Sequence, residues 1–229
     1  MEATTLLTLF SLLFLSFTPK LGKCACSHGI SPPPAVLDSF GNHVRKGEYY
    51  KLVAWPNKPL VLTLTSSIFP LVNRNGTCWV QHEIELFTIA KPSLPVKFSP
   101  IKPNEDEFIR ESTYVDIKFD EVAVSYVCGG SSVWRVGDHP DQVFGQQFVN
   151  VGGHGEARTT WFKIVKDSKL PHNNYNLLFC PGDSSGCCRN VGIFVDGDGR
   201  ERLALADSPV PFAFNPLHRP QSQYIEMKF

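Results

Sequence analysis

The sequence predicts an all-β protein whose strands form a barrel or a sandwich. Two observations support this prediction. Eighteen Pro and 17 Gly are spread through the 229 residues, and this frequency favours many short strands joined by tight turns over long helices. In addition, a series of short runs has the composition of strands, whereas no segment keeps the period of an amphipathic helix over three turns. About a dozen such strands is within the range of closed β folds.

The predicted strands start after a Pro-rich segment, Pro32 to Pro34. The run Tyr114–Phe119 alternates apolar and polar residues sharply, as a half-buried strand requires. Turn signals separate the runs, and we predict a C-terminal tail over 216–229 because that stretch lacks strand alternation. In chain order the predicted strands are Glu48–Trp55, Leu60–Thr65, Val96–Ser99, Tyr114–Phe119, Val122–Val127, Val133–Val136, Gln147–Val151, Thr160–Val165, Tyr175–Cys180, Gly192–Val195 and Arg202–Ala206.

Residues 1–26 are predicted to be a signal peptide. The stretch from Leu6 to Phe17 is apolar but too short to span a bilayer. Cys24 and Cys26 are small enough for signal peptidase, which places the start of the mature chain near Ser27. No basic residue precedes the apolar stretch, and a membrane anchor is the competing interpretation. We therefore expect a secreted protein, either extracellular or vacuolar.

The charge balance limits the kinds of partner. The chain has 22 basic and 22 acidic side chains, so it carries no net charge at pH 7. Neutrality argues against a nucleic acid or an anionic membrane surface as the partner. The hydrophobic fraction of 42% is sufficient for one buried core, and the length fits one all-β domain or two small ones.

The cysteines are predicted to form disulfides, because secretion exposes them to an oxidising compartment. Without the signal peptide, the cysteines are Cys78, Cys128, Cys180, Cys187 and Cys188. An odd thiol is left over after pairing. No CxxC pair or His cluster indicates a metal site. The sequon Asn75-Gly76-Thr77 predicts a glycosylation site at Asn75.

Two motifs suggest chemistry that we do not predict. The run from Gly182 to Gly186 resembles the signature around the nucleophile of a trypsin-like protease, with Ser184 in the place of the nucleophile. Ser185 replaces the Gly of that signature, at a position where the backbone after the nucleophile forms the oxyanion hole. The following residues are strand-like, whereas an α/β-hydrolase elbow needs a helix there. We therefore predict a polar loop and no enzyme; a hydrolase built on Ser184 is a distant alternative. The Asp196–Gly199 run predicts a hairpin turn, because Arg200 replaces the calcium ligand that an EF-hand needs.

Several sequence blocks together carry a family resemblance. The first is Val36–Val44, followed after five residues by Tyr50-Lys51-Leu52. The later blocks are Leu94–Pro100, Ile109–Thr113, Ser132–Val136, Trp161–Ile164, Leu178–Pro181, Val191–Ile193 and Leu203–Leu205. These blocks occur in register from about Val36 to Asn215. In them the chain resembles the Kunitz soybean-trypsin-inhibitor family, and especially its miraculin-like branch.

The resemblance implies a fold and a disulfide pattern. The fold would be a β-trefoil over residues 27–215, with twelve strands in three pseudo-repeats, six forming a barrel and six capping it. The implied disulfides are Cys78–Cys128 and Cys180–Cys188, which on the loop-entropy model contribute about 4 and about 2–3 kcal/mol. Cys187 would then be a free thiol of a monomer or the link in a disulfide-bonded homodimer. No cofactor is implied.

The resemblance also implies a function and a reactive loop. Family members block serine endopeptidases with a rigid exposed loop that binds like a substrate and loses little entropy on docking. The loop follows Phe98-Ser99-Pro100, so its expected residues are Pro100, Ile101, Lys102, Pro103 and Asn104. Lys102 is the expected specificity residue, since a basic side chain fits the pocket of a trypsin-like protease.

Three features depart from the family pattern. Pro103 would follow the scissile position, where its locked ring and missing N–H fit protease subsites poorly. The segment 104–107 is longer and more acidic than in trypsin-inhibiting members. Lys46 stands where the family has an Asn that braces the loop, and a Lys side chain cannot accept hydrogen bonds. The alternative prediction is therefore a miraculin-like binding or storage protein that has lost inhibition.

Overall fold

The structure is a computed structural model that describes residues 31–54, 64–72, 76–86, 94–102, 106–128, 130–153, 158–182 and 188–217. The chain divides into two units, residues 1–31 and 32–229, and the fold below is that of the second. The predicted signal peptide lies outside the described residues, as do Asn75, Pro103, Asn104, Ser184 and Cys187. Within the described ranges, no helix is long and apolar enough to cross a membrane.

Twelve strands and one short α-helix make up the described fold. The strands are β1 Tyr49–Ala54, β2 Leu64–Val72, β3 Cys78–Leu86, β4 Val96–Pro100, β5 Tyr114–Phe119, β6 Val133–Val136, β7 Val149–Gly153, β8 Phe162–Lys166, β9 Tyr175–Phe179, β10 Arg189–Val195, β11 Glu201–Ala206 and β12 Pro211–Pro216. The helix α1 spans Glu121–Cys128, and a single 3-10 turn spans Arg158–Thr160.

Six of the strands close into a barrel. Antiparallel pairing runs from β1 to β4, β5, β8, β9 and β12, and from β12 back to β1. The closing pair is extensive, from Tyr50 opposite Pro216 to Ala54 opposite Phe212. A closed ring leaves no unpaired barrel edge that could recruit another chain.

The other six strands form three hairpins that cap the barrel. The hairpins are β2–β3, β6–β7 and β10–β11, and β3 pairs with both β7 and β11. A bridge between Phe148 and Ala204 joins the second hairpin to the third. Each third of the chain thus supplies one barrel strand, one cap hairpin and a second barrel strand. The predicted β-trefoil of twelve strands in three repeats is confirmed.

The core lies inside the barrel and under the cap. Inward-facing residues alternate along the barrel strands, as Phe162 and Ile164 of β8 show, both with no exposed surface. Trp134 of β6 is also fully buried, with ring centroids 5.3 Å from Phe119 and 6.4 Å from Phe162. Burying each such aromatic side chain stabilises the fold by about 1.5–3 kcal/mol.

Two disulfides join segments at the ends of strands. One links Cys78, the first residue of β3, to Cys128, the last residue of α1. The other links Cys180, directly after β9, to Cys188, directly before β10. These are the pairs that the family resemblance implies.

One predicted strand is wrong, because Val122–Val127 belongs to helix α1. The segment was predicted as a strand because of its valines. The exposure of two of these valines fits a helix instead. Val122 is 67% exposed and Val124 is fully buried. Residues two apart face the same side in a strand but nearly opposite sides in a helix. The disulfide at Cys128 and the hydrogen bond from Val124 N to Asp120 O, 3.1 Å, fix the helix between β5 and β6.

Other observed strands also differ from the predicted ones, and two of them contain prolines, which are uncommon in paired strands. The predicted strand Leu60–Thr65 overlaps β2 only at its end, and β3 and β12 were not predicted at all. β2 contains Pro70 and β12 has Pro at both ends, and Pro normally argues against a paired strand. Pro216 of the predicted tail ends β12, and Leu217 N donates to Tyr49 O at 3.1 Å; residues 218–229 lie outside the described residues.

The turn between β10 and β11 is built on Asp196. Its Oδ1 accepts hydrogen bonds from the N–H groups of Asp198 and Arg200, at 3.0 and 2.9 Å. Gly199 has φ +77°, a left-handed conformation that glycine adopts without strain. The Asp196–Gly199 run therefore forms the hairpin turn that the sequence predicts.

A buried ion pair connects this turn to the rest of the cap. Arg202 Nη2 donates to Asp196 Oδ2 at 2.5 Å, and both side chains are 3% exposed. The guanidinium lies 3.7 Å from the ring centroid of Trp79 in β3 and 5.2 Å from that of Phe148, next to β7. Burial alone would raise the pKa of Asp196, but the two backbone N–H groups and Arg202 outweigh burial and lower it. One arginine thus contacts all three cap hairpins.

We predict that Asp196→Asn lowers the free energy of unfolding by about 3–5 kcal/mol, because it leaves the charge of Arg202 buried without its partner. The amide still offers an oxygen to the turn N–H groups. The matched control is Asp198→Asn, the same change on an exposed carboxylate of the same turn, which we expect to cost about 0.5 kcal/mol or less. Urea unfolding measures both, and equal losses would contradict a special role for the buried pair.

Candidate functional site

The connection from β4 to β5, residues 101–113, is the β4–β5 loop and contains four of the five predicted reactive residues, while Pro100 ends β4. Strands β4, β8 and β12 end, and β1, β5 and β9 begin, at the barrel end opposite the cap, so the loop lies there. The two strands pair up to Pro100 opposite Val115, and Ile101 N donates to Tyr114 O at 3.0 Å. The strand ladder therefore continues into the first residue of the loop.

The structure describes three of the five predicted reactive residues. Pro100 is the last residue of β4, Ile101 is half-buried and Lys102 is exposed. Lys102 thus presents a basic side chain one residue beyond the strand ladder. Pro103 and Asn104 lie outside the described residues, so their part of the prediction stays a prediction.

Residues 33–47, the N-terminal segment, brace the second half of this loop. Val36 N donates to Ile109 O, and Ile109 N donates to Val44 O, each at 2.9 Å. Val44 N in turn donates to Val36 O at 2.8 Å. All three side chains are fully buried. Residue 109 is therefore held from both sides and anchored in the core.

The ladder continues on either side of Ile109. Lys46 N donates to Glu107 O and Glu111 N donates to Pro34 O, each at 2.9 Å. The residue that departs from the family pattern, Lys46, thus lies beside the loop and supports it through its backbone. Because a backbone N–H is present whatever the side chain, this contact does not need the Asn that the family has at this position.

Charged side chains form two ion pairs at this contact. Asp106 accepts from Phe108 N at 3.0 Å and from Arg110 Nε at 2.5 Å. Arg45 Nη1 lies 2.9 Å from Glu107 Oε2. The Phe108 N–H, the Arg110 guanidinium and the positive charge of Lys46 together lower the pKa of Asp106. These contacts therefore favour the carboxylate form of Asp106.

Tyr50 of β1 supports the N-terminal segment from inside the barrel. Its hydroxyl accepts from Arg45 N at 2.9 Å and donates to Glu48 Oε2 at 3.3 Å. Burial is the largest cause that raises the pKa of Tyr50 to about 12. The backbone of Arg45, next to the bracing Lys46, is thus fixed by a buried hydroxyl.

The Cys180–Cys188 disulfide loop also contacts the base of the β4–β5 loop. The Tyr114 hydroxyl donates to Gly182 O at 2.5 Å, and Lys163 Nζ lies 4.2 Å from the centroid of the Tyr114 ring. Gly182 begins the Ser-centred run; Ser184 and Cys187 lie outside the described residues. This part of the run therefore contributes a backbone carbonyl that holds the first residue of β5.

Sequence reasoning missed Asp106, Arg110 and Tyr114 as parts of the site. Two signals could have indicated the first two. Asp106 accepts a hydrogen bond from the N–H two residues later, which is a common local motif of Asp. Arg110, four residues after Asp106, carries the opposite charge. No sequence signal links Tyr114 to Gly182, which are 68 residues apart.

The fold and the loop define a class: a β-trefoil protein that presents an exposed basic residue on a loop braced by its own N-terminal segment. Residues 36–215 match the legume Kunitz family model, which is described as trypsin and protease inhibitor. The chain belongs to this Kunitz family. Family members are inhibitors rather than catalysts, which confirms the prediction that the chain is not an enzyme.

Individual relatives agree with this membership. The chain is 33% identical to miraculin of Synsepalum dulcificum over 222 residues, covering 91% of this chain and 96% of miraculin. It is 27% identical to Kunitz trypsin inhibitor 3 of Arabidopsis thaliana, over 90% of this chain and 86% of that inhibitor. Soybean trypsin inhibitor, in its complex with porcine pancreatic trypsin, superposes with a TM-score of 0.61 at 25% identity, over 81% of this chain and all of that one.

We predict that Tyr50 makes stability fall at alkaline pH. Its pKa is 10.0 in an unfolded chain and about 12 here, so its protonated form is favoured in the fold. The contribution is complete below pH 10 and is lost as the pH rises through about 12. Tyr50→Phe, compared by denaturant unfolding, should cost about 1–3 kcal/mol at pH 7, because the partly buried Arg45 N–H loses its acceptor, and should lose less stability between pH 10 and 12. Parallel losses over this range would contradict the assignment.

Proposed function

We propose that the chain inhibits a serine endopeptidase of trypsin-like specificity by presenting Lys102 as a substrate side chain. The observation that carries the proposal is the placement of Lys102. It is exposed directly after a strand ladder, on a loop in which Glu107, Ile109 and Glu111 form backbone hydrogen bonds with the N-terminal segment. A basic side chain at such a position suits the specificity pocket of a trypsin-like protease, where a buried Asp binds it.

The proposed mechanism is occlusion without catalysis by this chain. A loop that already has its bound shape loses little conformational entropy on docking, so contact energy appears as affinity. The two ends of the loop are held independently of the peptide bonds between them, at Ile101 by β5 and at Ile109 by the N-terminal segment. If the protease cuts the loop between them, Ile101 and Ile109 remain held on either side of the cut, which favours resealing over release.

Location is a second part of the proposal. We propose that residues 1–26 direct secretion, to the extracellular space or the vacuole, and that Asn75 is glycosylated there. The two disulfides support an oxidising compartment, since such bonds persist outside the cytosol. Cys187 would then be either a free thiol of a monomer or the link of a homodimer. Electrophoresis with and without reductant, using Cys187→Ser as control, distinguishes these states.

We predict that Lys102→Ala raises the inhibition constant for the target protease at least 30-fold, the effect of losing a central binding residue. Arg200→Ala is the control. It removes a basic side chain at an exposed cap turn, at the other end of the barrel, and should change inhibition less than threefold. The measurement is titration of trypsin and of a panel of serine and cysteine proteases. Equal effects of the two substitutions would exclude Lys102 as the specificity residue.

The second candidate function is a binding or storage role without inhibition. The similarity to miraculin over 91% of the chain favours it, together with the sequence departures at Lys46 and Pro103. The same protease panel decides between the two candidates. If micromolar protein inhibits no protease of the panel, the inhibitor proposal fails and the binding role replaces it.

A further inference from the structure

The geometry points to a positioning role for Asp106: paired with Arg110, it ties the β4–β5 loop to the N-terminal segment and fixes the loop for docking. This inference deepens the proposed function, and its effect on inhibition rests on that function. Its effect on the loop of the free chain does not depend on any protease.

The two carboxylate oxygens of Asp106 have different partners. Oδ1 accepts from the N–H of Phe108 at 3.0 Å, which forms a tight local turn. Oδ2 accepts from Nε of Arg110 at 2.5 Å. Arg110 Nη1 then donates to the carbonyl oxygen of Pro33 at 3.1 Å. A single chain of charge-assisted hydrogen bonds therefore joins the loop to the N-terminal segment.

The exposed fractions of the side chains show which of the two ion pairs holds the loop. The side chains of Arg110 and Asp106 are 23% and 24% exposed, whereas those of Arg45 and Glu107 are 48% and 68% exposed. Water screens an exposed pair and leaves it little net effect. A pair that is three-quarters buried is screened less, and its geometry is fixed by its other hydrogen bonds. Asp106–Arg110 is therefore the brace, and Arg45–Glu107 serves as its matched control.

The unusual residues of the two segments complement one another. The N-terminal segment contributes Arg45 and Lys46, and the loop contributes Asp106 and Glu107, which follow one another in sequence. Arg45 pairs with Glu107, and the charge of Lys46 stabilises the carboxylate of Asp106. The lysine at position 46 and the carboxylate of Asp106 are thus parts of one arrangement, in which opposite charges and backbone hydrogen bonds support the loop, whereas the exposed side-chain pair Arg45–Glu107 adds little.

The brace acts on Lys102 through the shortness of the connecting chain. Only three residues separate Lys102 from Asp106 in the sequence. The residue before Lys102 is held by β5 through Ile101 N and Tyr114 O. A short segment that is held at both ends has fewer conformations than one held at a single end, so less entropy remains to be lost on docking. Releasing Asp106 frees one of these ends.

The first test measures amide hydrogen exchange in the free, full-length mature protein. Asp106→Asn and Arg110→Met each remove one member of the pair, and Glu107→Gln is the control. We expect the amides of Phe108 and Ile109 to exchange at least tenfold faster in the first two variants and less than threefold faster in the control. The double variant should exchange no faster than either single one, because both break the same pair. Amides of β8 should keep their rates in every variant, which shows that the fold is intact.

The second test measures the inhibition constant and the rate at which the protease cleaves the loop. Asp106→Asn should raise both at least tenfold, and Glu107→Gln should change each less than threefold. A purely structural role would leave inhibition and cleavage unchanged while lowering the overall stability. Mass spectrometry after prolonged incubation locates the cleaved bond within the β4–β5 loop.

The outcomes separate this inference from the proposed function. Unchanged exchange in both the Asp106 and the Arg110 variants would overturn the brace. Faster exchange with unchanged inhibition would overturn the positioning role, although the chain would remain an inhibitor. If the unmodified chain inhibits no protease, the proposed function fails, and the exchange rates alone still decide whether Asp106 fixes the loop.

Discussion

Closure of the barrel by β1 and β12 is the constraint on which the rest of the structure depends. It brings the first and last strands of the chain together along five paired positions. The N-terminal segment, which precedes β1, is thereby fixed beside the β4–β5 loop. Further hydrogen bonds attach this segment to the barrel, from Ser39 N to Phe214 O and from Leu37 N to the Tyr175 hydroxyl, each at 2.9 Å. Without that closure, the N-terminal segment would not be held beside the β4–β5 loop and could not brace it.

Much of the fold could be predicted, because the barrel strands bury one face and leave an alternating pattern in the sequence. The pattern fails where contacts distant in sequence decide the structure. Val122 and Val124 have the composition of a strand, but the disulfide at Cys128 and the link to β6 impose a helix. β12 could not be predicted from its own residues, since Pro211 and Pro216 weigh against pairing and only its position between β1 and β9 makes it a strand.

The site shows the same division between local and distant causes. The position of Lys102 in the loop could be predicted from the family resemblance, because the block that ends at Pro100 marks the start of the loop; its role as the specificity residue stays a prediction. The support of the loop could not be predicted, because it comes from residues far earlier in the chain, as the hydrogen bond from Arg110 to the Pro33 carbonyl oxygen, with its separation of 77, illustrates. Sequence comparison identified Lys46 as a missing brace. In the structure its backbone provides support that a side-chain comparison does not reveal.

The hydrogen bond from Arg110 to the carbonyl oxygen of Pro33 has a consequence for the prolines that precede β1. The N terminus is not spare sequence, because trimming through Pro33 would remove the acceptor that anchors the loop from the other side. Pro32, Pro33 and Pro34 lie at this contact, and their rings fix the backbone angle φ. The proline run thus leaves the segment that carries this acceptor fewer conformations to lose when it binds the loop.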